Sequence, residues 1–168
     1  MNRKSTEAIA LHCTATLAHH PHNVTSIRAM HLARKFSDIG YHFLIGLDGE
    51  EWQGRKPLQA RGQQISGFND RTLGVAYVGG LRSEDAVPMD TRNPKQIKTM
   101  IDLLKRLCKV YPQTVIVGHR DMSPDLDGDG VIEKHEWLKV CPCFDAGPWA
   151  KSVGLPGGRY RDGKFERL

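Results

Sequence analysis

The chain has 168 residues, which suits one domain able to bury about 70% of the surface that its unfolded form exposes. Hydrophobic residues make up 39% and charged residues 26%, and no apolar run reaches the roughly 18 residues of a membrane span. The formal net charge is +5, but the lysines and arginines are scattered and follow no nucleic-acid-binding pattern. These features indicate a single globular domain and argue against nucleic acid or membrane as partners.

The first predicted strand covers about residues 7–13. Alternation puts Ile9, Leu11 and Cys13 on one face and His12 on the other, where its ring can face a cleft. A basic start followed by a short apolar run is also typical of secretory signals, but His12 breaks this run after four residues. We therefore expect a strand here and no signal peptide.

A helix and a hairpin are predicted next. Thr25 or Ser26 can cap a helix that continues to about Phe36, in which Ile27, Met30, His31 and Arg34 recur at helical spacing. Strands at about 42–47 and 50–54 follow, and the dipeptide Asp48-Gly49 between them favours a tight turn. A further strand includes Val75 and Tyr77 and ends at Gly79-Gly80.

The second half of the chain begins with a long helix from Asn93-Pro94 to about Val110. Residues 115–117 form a short apolar strand, expected at the centre of the sheet, which delivers His119 at its end. Glycine, proline and mixed charges from Gly154 onward predict a loose basic tail over residues 154–168.

Together these elements predict the α/β class. We expect a single domain over residues 1–153, with a central mixed β-sheet flanked by helices. Active sites commonly lie at the ends of the strands in open sheets, so a site is expected at one edge of this sheet.

Three residues of metal-binding type lie on separate pieces of chain: His12, His119 and Cys141. Two neutral imidazoles and one thiolate bind Zn²⁺ with a net charge of about +1 and leave the fourth tetrahedral position for water, as catalysis requires. The alternative is a closed structural site in which Cys143 or Cys13 supplies a fourth ligand.

The four cysteines, without a secretory signal, fit a reducing compartment, where thiols bind metal more often than they pair. Cys13 and Cys108 are predicted to be buried small hydrophobic residues, and a disulfide between them is the alternative. We expect the chain to be cytoplasmic as it is synthesised.

Four separated segments occur in a familiar order and spacing: residues 11–16, 40–43, 118–121 and 139–145. Together they resemble the type 2 N-acetylmuramoyl-L-alanine amidases, the zinc-amidase family that includes small phage endolysins and the peptidoglycan recognition proteins. The resemblance runs from about residue 8 to residue 153. It implies that His12, His119 and Cys141 bind one catalytic zinc, and that Tyr41 and Lys139 are the catalytic side chains. One departure is Gln64, where related chains often have a histidine before a Gly-aromatic-Asn turn.

The resemblance implies hydrolysis of the amide bond between N-acetylmuramic acid and L-alanine in peptidoglycan. Zinc lowers the pKa of its water to about 7 and polarises the carbonyl. Lys139 is expected to stabilise the oxyanion, and Tyr41 to donate a proton or orient water. We expect a monomeric phage or prophage endolysin that acts on the cell wall after release from the cell. The alternatives are a non-catalytic peptidoglycan-binding protein and a polymerase-binding regulator.

Residues 125–136 match the twelve-residue EF-hand calcium loop at positions 1, 3, 5, 6, 9 and 12. Ser123-Pro124 leaves no room for an incoming helix, so the segment is expected to be a lone loop inserted in the domain. A solvated acidic turn is the alternative to this possible structural Ca²⁺ site. The predicted calcium ligands are five carboxylates and one backbone carbonyl, from Asp125, Asp127, Asp129, Val131, Glu133 and Glu136.

Overall fold

Nine strands and three α-helices make up the fold of a computed structural model that describes all residues 1–168. The helices are α1 (Val24–Ala33), α2 (Pro94–Val110) and α3 (Ala146–Ser152). None of them combines the length and the apolar character needed to cross a membrane. The strands are β1 (Ala8–Cys13), β2 (Thr16–Leu17), β3 (Phe43–Ile45), β4 (Glu51–Gln53), β5 (Thr72–Tyr77), β6 (Gly80–Leu81), β7 (Val115–Gly118), β8 (Gly158–Arg161) and β9 (Lys164–Arg167).

The main sheet has five strands in the order β4-β3-β5-β1-β7. Strands β3, β5, β1 and β7 run parallel, whereas β4 pairs antiparallel with β3. The mixed sheet with flanking helices confirms the predicted α/β class. Parallel pairing places the carboxyl ends of β1 and β7 at the same edge of the sheet. Because Leu11 pairs with Gly118, the residues that follow, His12 and His119, lie side by side.

The two faces of the sheet differ in what covers them. Ile9 and Leu11 of β1 pack with Met100 and Leu104 of α2, in a core that also includes Ala146 of α3. Ala8 and Ala10 belong to a separate cluster on the opposite face, as the predicted alternation requires. Small residues on that face leave room for the His12 side chain.

The helix boundaries follow from their caps. Asn93 caps α2 by accepting a hydrogen bond from the Gln96 amide at 3.0 Å, so the predicted start and end of this helix are confirmed. The cap predicted for α1 is wrong, because Asn23 accepts from the Ser26 amide at 3.0 Å and Ser26 lies inside the helix. This helix also ends at Ala33 rather than Phe36, since Lys35 has the left-handed φ of 63°.

Strand β7 lies at the end of the sheet order, so its predicted central position is wrong. It is nevertheless fully buried, because the chain after α3 covers its free edge. The Ile116 amide donates to the carbonyl of Pro156 at 2.8 Å, and Gly157 forms a bridge with Ile116. The apolar sequence of this strand therefore indicates that the strand is buried, and it does not indicate a central position in the sheet.

The segment predicted to be a loose tail contains the β-hairpin of β8 and β9. Asp162 and Gly163 have φ values of 47° and 80°, as two-residue hairpin turns require. Tyr160 faces Phe165 across the hairpin, and both rings pack against Phe68. The Asp-Gly turn and the aromatic pair outweigh the polar composition from which the tail was predicted.

We predict that Phe165→Ala lowers the free energy of unfolding by about 1–3 kcal/mol, because it removes an aromatic ring packed between Tyr160 and Phe68. The exposed neighbour Lys164 is the control, and Lys164→Ala should change the free energy by less than about 0.5 kcal/mol. Urea denaturation measures both values. Equal, negligible effects of the two substitutions would mean that the hairpin does not contribute to the folded domain.

Candidate metal centre and cleft

Three side chains converge where β1 and β7 end. His12 is the fifth residue of β1, and His119 follows β7 directly, which brings the centroids of the two rings to 4.8 Å. Cys141 lies in a later segment of the chain. Its carbonyl oxygen accepts a hydrogen bond from the Arg120 amide at 2.9 Å. One potential ligand atom from each of His12, His119 and Cys141 lies within 4.8 Å of the other two. The structure thus brings the three predicted metal ligands together.

The chemistry of this group fits a metal ion. The Nε2 atom of His12 is buried without a hydrogen-bond partner, an arrangement that is costly unless a ligand satisfies it. Burial lowers the pKa of His12 well below its ordinary value. Burial, and then the charge of Lys139, lowers the pKa of His119 to about 4. Both rings are therefore neutral at pH 7, the form that binds metals.

One cysteine belongs to the metal-binding group, and two of the other three lie beside it. The Sγ atom of Cys141 is 3.7 Å from Nδ1 of His12 and accepts a hydrogen bond from the Cys13 amide at 3.2 Å. Cys13 and Cys143 instead contact each other, with 3.8 Å between their sulfur atoms, and neither belongs to the metal-binding group. Contact with Cys141, and then burial, raises the pKa of Cys13 to about 12. All four cysteines are free, so the alternative disulfide between Cys13 and Cys108 is wrong.

Tyr41 and His42 are neighbours with different roles. The ring of Tyr41 lies 5.2 Å from that of His12, and its hydroxyl donates to the Cys13 carbonyl at 3.4 Å. Burial raises the pKa of Tyr41, so its phenol remains a proton donor at neutral pH. His42 is fully buried and accepts from the Gly74 amide through Nδ1 at 3.0 Å. It lies outside the metal-binding group.

One cleft of about 160 Å³ is lined by His12, His119, Cys141 and Tyr41. Lys139 is exposed and shares the cleft with Tyr41 and Cys141. A larger cavity of about 480 Å³ lies between the acidic loop and the β8–β9 hairpin, but none of the three metal-binding residues lines it. The chemistry of its lining residues, rather than the size of the cavity, makes the smaller cleft the candidate functional site.

Sequence analysis missed several residues that line this cleft. His31 is 6% exposed, and its Nδ1 accepts a hydrogen bond from the Gly40 amide at 2.9 Å. Its position four residues after the buried Ile27 is the signal that could have placed it on the inner side of α1. Arg34, Phe36, Gln63 and Gln64 were also missed as lining residues.

Gln64 occupies the place at which the sequence departs from the related family. Its Nε2 donates to the Thr72 hydroxyl at 3.2 Å, whereas its Oε1 is buried without a partner. The side chain passes directly over Gly74, where a Cβ atom would lie 1.3 Å from the Gln64 Oε1. Gln64 is therefore a packed part of the cleft wall that depends on a glycine beneath it.

The acidic loop brings only part of its predicted ligand set together. Oxygen atoms of Asp125, Asp127 and Glu136 lie within 4.8 Å of one another, while Asp129 is not in that group. Glu133 forms a second group with Asp127 and His135. The carboxylate of Glu136 accepts hydrogen bonds from the backbone amides of Leu126 and Glu133. These bonds fix the shape of the loop, and calcium binding stays a prediction.

Comparison with known proteins gives a consistent set of relatives. The family described as N-acetylmuramoyl-L-alanine amidase matches residues 2–135. An endolysin of Enterobacteria phage K11 is 33% identical over 153 residues, which cover 91% of each chain. A peptidoglycan-recognition protein of Drosophila melanogaster is 33% identical over 116 residues, covering 66% of this chain and 62% of that protein.

Among solved structures, the N-acetylmuramoyl-L-alanine amidase LysC from Clostridium intestinale superposes with a TM-score of 0.66 at 25% identity. The match covers 92% of this chain and 87% of LysC. It therefore includes nearly the whole fold described above. The segment with Lys139 and Cys141 lies beyond the residues that the family match covers, so its placement depends on the structure.

We predict that the Cys141→Ser variant loses a bound zinc ion, because a hydroxyl replaces the one thiolate of the group. Cys143→Ser is the matched control, since its sulfur contacts Cys13 and lies outside the group. Mass-spectrometric metal analysis of purified protein should find about one zinc per chain in the wild type and the control. Loss of zinc from the Cys143 variant would contradict the three-ligand set and favour a closed structural site.

Proposed function

The chain belongs to the N-acetylmuramoyl-L-alanine amidase family, and on this basis we propose that it uses one catalytic zinc to cleave the bond between N-acetylmuramic acid and L-alanine in peptidoglycan. The observation that carries the proposal is the shared cleft of His12, His119 and Cys141 with Tyr41 and Lys139. A site that only binds peptidoglycan needs no such combination of a metal group with a proton donor and a cation.

The three metal-binding residues would hold the zinc, which when bound supplies Lewis acidity toward a carbonyl and activates water near neutral pH. His12 and His119 offer neutral rings for this purpose, because burial keeps both pKa values below neutrality. The Cys13 amide stabilises the thiolate of Cys141 by a charge-assisted hydrogen bond. The backbone thereby supports the only anionic ligand of the set.

We assign to Lys139 the stabilisation of negative charge on the substrate. Hydrolysis of an amide develops charge on the carbonyl oxygen, and a fixed cation beside that oxygen lowers the barrier. Lys139 lines the same cleft as the ligands, and its charge acts on His119. No aspartate or glutamate lines the cleft, so no carboxylate within it pairs with the ammonium group.

We assign to Tyr41 a role in proton transfer. The departing amine of L-alanine must gain a proton when the amide breaks. The Tyr41 hydroxyl remains protonated and has only a 3.4 Å hydrogen bond to the Cys13 carbonyl, which a substrate atom can replace. We assign Tyr41 as the proton donor or as the group that orients the attacking water.

A non-catalytic peptidoglycan-binding role is the alternative that the recognition-protein relatives keep open. The complete set of ligands and catalytic side chains favours the enzyme. We further propose that the protein is an endolysin, which works as a monomer on the cell wall after it leaves the cytoplasm. The phage relative, which matches over nearly its full length, supports this role.

We predict that Lys139→Ala lowers kcat by about 10²–10³, the range for loss of one oxyanion donor, while the zinc content is unchanged. Lys151→Ala is the control, because Lys151 is an exposed lysine on α3 outside the cleft. New amino termini released from purified peptidoglycan measure the rate. Unchanged turnover in the Lys139 variant would remove this residue from the mechanism.

We propose that the acidic loop binds calcium and thereby steadies the segment that carries Lys139 and Cys141. Five carboxylates within residues 125–136 repel one another without a cation. The loop is connected to the turn that carries His119, because the Leu138 amide, just after the loop, donates to the hydroxyl of Ser123, just after that turn, at 3.1 Å. Trp137 adds to this connection, since the guanidinium of Arg120 stacks on its ring at 4.0 Å.

Millimolar calcium should therefore raise both the melting temperature and the amidase rate of the zinc-loaded protein. Asp127→Ala combined with Glu136→Ala should remove both effects, and Asp127→Asn alone should weaken them. Glu84→Ala, an exposed carboxylate outside the loop, should leave them intact. Absence of calcium uptake in titration calorimetry would show that the loop is only an acidic insertion.

A further inference from the structure

Arg34 lies in the cleft but has no role in the chemistry derived above. It immediately follows α1, and its exposed side chain lines the cleft together with Tyr41 and Lys139. Arg34 and Arg61 are the only arginines whose guanidinium groups neither donate a hydrogen bond nor form an ion pair. Of these two, only Arg34 lines the cleft.

The position of this guanidinium is defined by stacking. It lies 5.2 Å from the centroid of the Phe36 ring, a cation–π distance. Phe36 in turn packs at 4.9 Å against His31, which is buried and hydrogen-bonded to the backbone. Arg34 is thus held over a fixed ring, with its hydrogen-bond donors unused.

A row of rings connects Arg34 with the metal centre. The centroid of the Tyr41 ring is 5.2 Å from that of His12 and 5.1 Å from that of His31. Phe36 continues the row from His31 to the guanidinium. A peptide that leaves the metal centre along this row passes from the scissile bond toward Arg34.

The charges in the cleft favour an anion at this end. Arg34 and Lys139 are its cationic side chains, and no carboxylate lines it. Lys139 lies two residues before Cys141 in the chain, whereas Arg34 stacks on Phe36 at the other end of the row of rings. The two cations therefore serve different parts of a substrate.

Resting on the proposed amidase function, we propose that Arg34 binds the free α-carboxylate of the D-glutamate that follows L-alanine in the stem peptide. This glutamate is joined onward through its side-chain carboxyl group, which leaves its α-carboxylate free. Its α-carbon lies about 3.8 Å beyond that of L-alanine, so the carboxylate is close to the scissile bond. A planar guanidinium can bind a carboxylate through two parallel hydrogen bonds. Arg34 is thus a specificity-determining residue that distinguishes acidic stem peptides from those amidated at this position.

The test compares two substrates that differ in this one group, N-acetylmuramoyl-L-alanyl-γ-D-glutamyl-L-lysine and its D-isoglutamine counterpart. We expect Arg34→Gln to raise KM for the acidic substrate about tenfold, with kcat nearly unchanged, because one charge-assisted contact is lost. KM for the amidated substrate should stay the same. Lys35→Gln is the control, since Lys35 is the adjacent exposed cation and does not line the cleft.

A binding measurement separates this inference from the proposed function. The two corresponding stem tripeptides without the sugar are not hydrolysed, and nuclear magnetic resonance titration gives their Kd for zinc-loaded protein. Weaker binding of only the acidic tripeptide to the Arg34→Gln protein supports the inference, even if neither muramyl substrate is cleaved. Equal losses for acidic and amidated ligands, or a fall in kcat alone, would overturn it.

Discussion

The parallel pairing of β1 with β7 is the constraint on which the site depends. The register places Leu11 beside Gly118, so His12 in β1 and His119, the first residue after β7, lie side by side. A shift of one residue in either strand would turn a histidine to the other face and separate the pair. The buried, hydrogen-bonded strands therefore set the spacing of two ligands before any metal binds. Only Cys141, from a separate segment, has to be brought to them.

That third ligand is positioned by contacts rather than by a strand. The segment after the acidic loop is attached to the turn that carries His119, because the Arg120 amide donates to the Cys141 carbonyl. Tyr77 adds a second attachment, since its hydroxyl donates to the carbonyl of Pro142 at 2.9 Å. Lys139 lies in the same segment, so the contacts that place the ligand also place the cation. Through this linkage, calcium binding by the loop just before the segment would act on the proposed chemistry.

Local sequence patterns predicted the parts of the fold that local interactions determine. Alternation in β1 and the Asn93 cap of α2 are examples, since each involves residues close together in sequence. The edge position of β7 could not be predicted, because the chain that buries it arrives some forty residues later. His31 and Gln64 were missed for a similar reason. Each enters the cleft from a different element, and no spacing between them marks a shared site.

The predicted ligands were identified by residue type and, with the predicted catalytic side chains, by the resemblance of separated motifs. The structure brings them into one cleft. The measurement that tests the central claim most directly is mass spectrometry of the products that the zinc-loaded protein releases from purified peptidoglycan. We expect stem peptides with a free amino terminus on L-alanine, together with glycan strands whose lactyl groups end in carboxylates. Release of disaccharide-peptides, or retention of the protein on intact peptidoglycan without any release, would contradict the proposed amidase function.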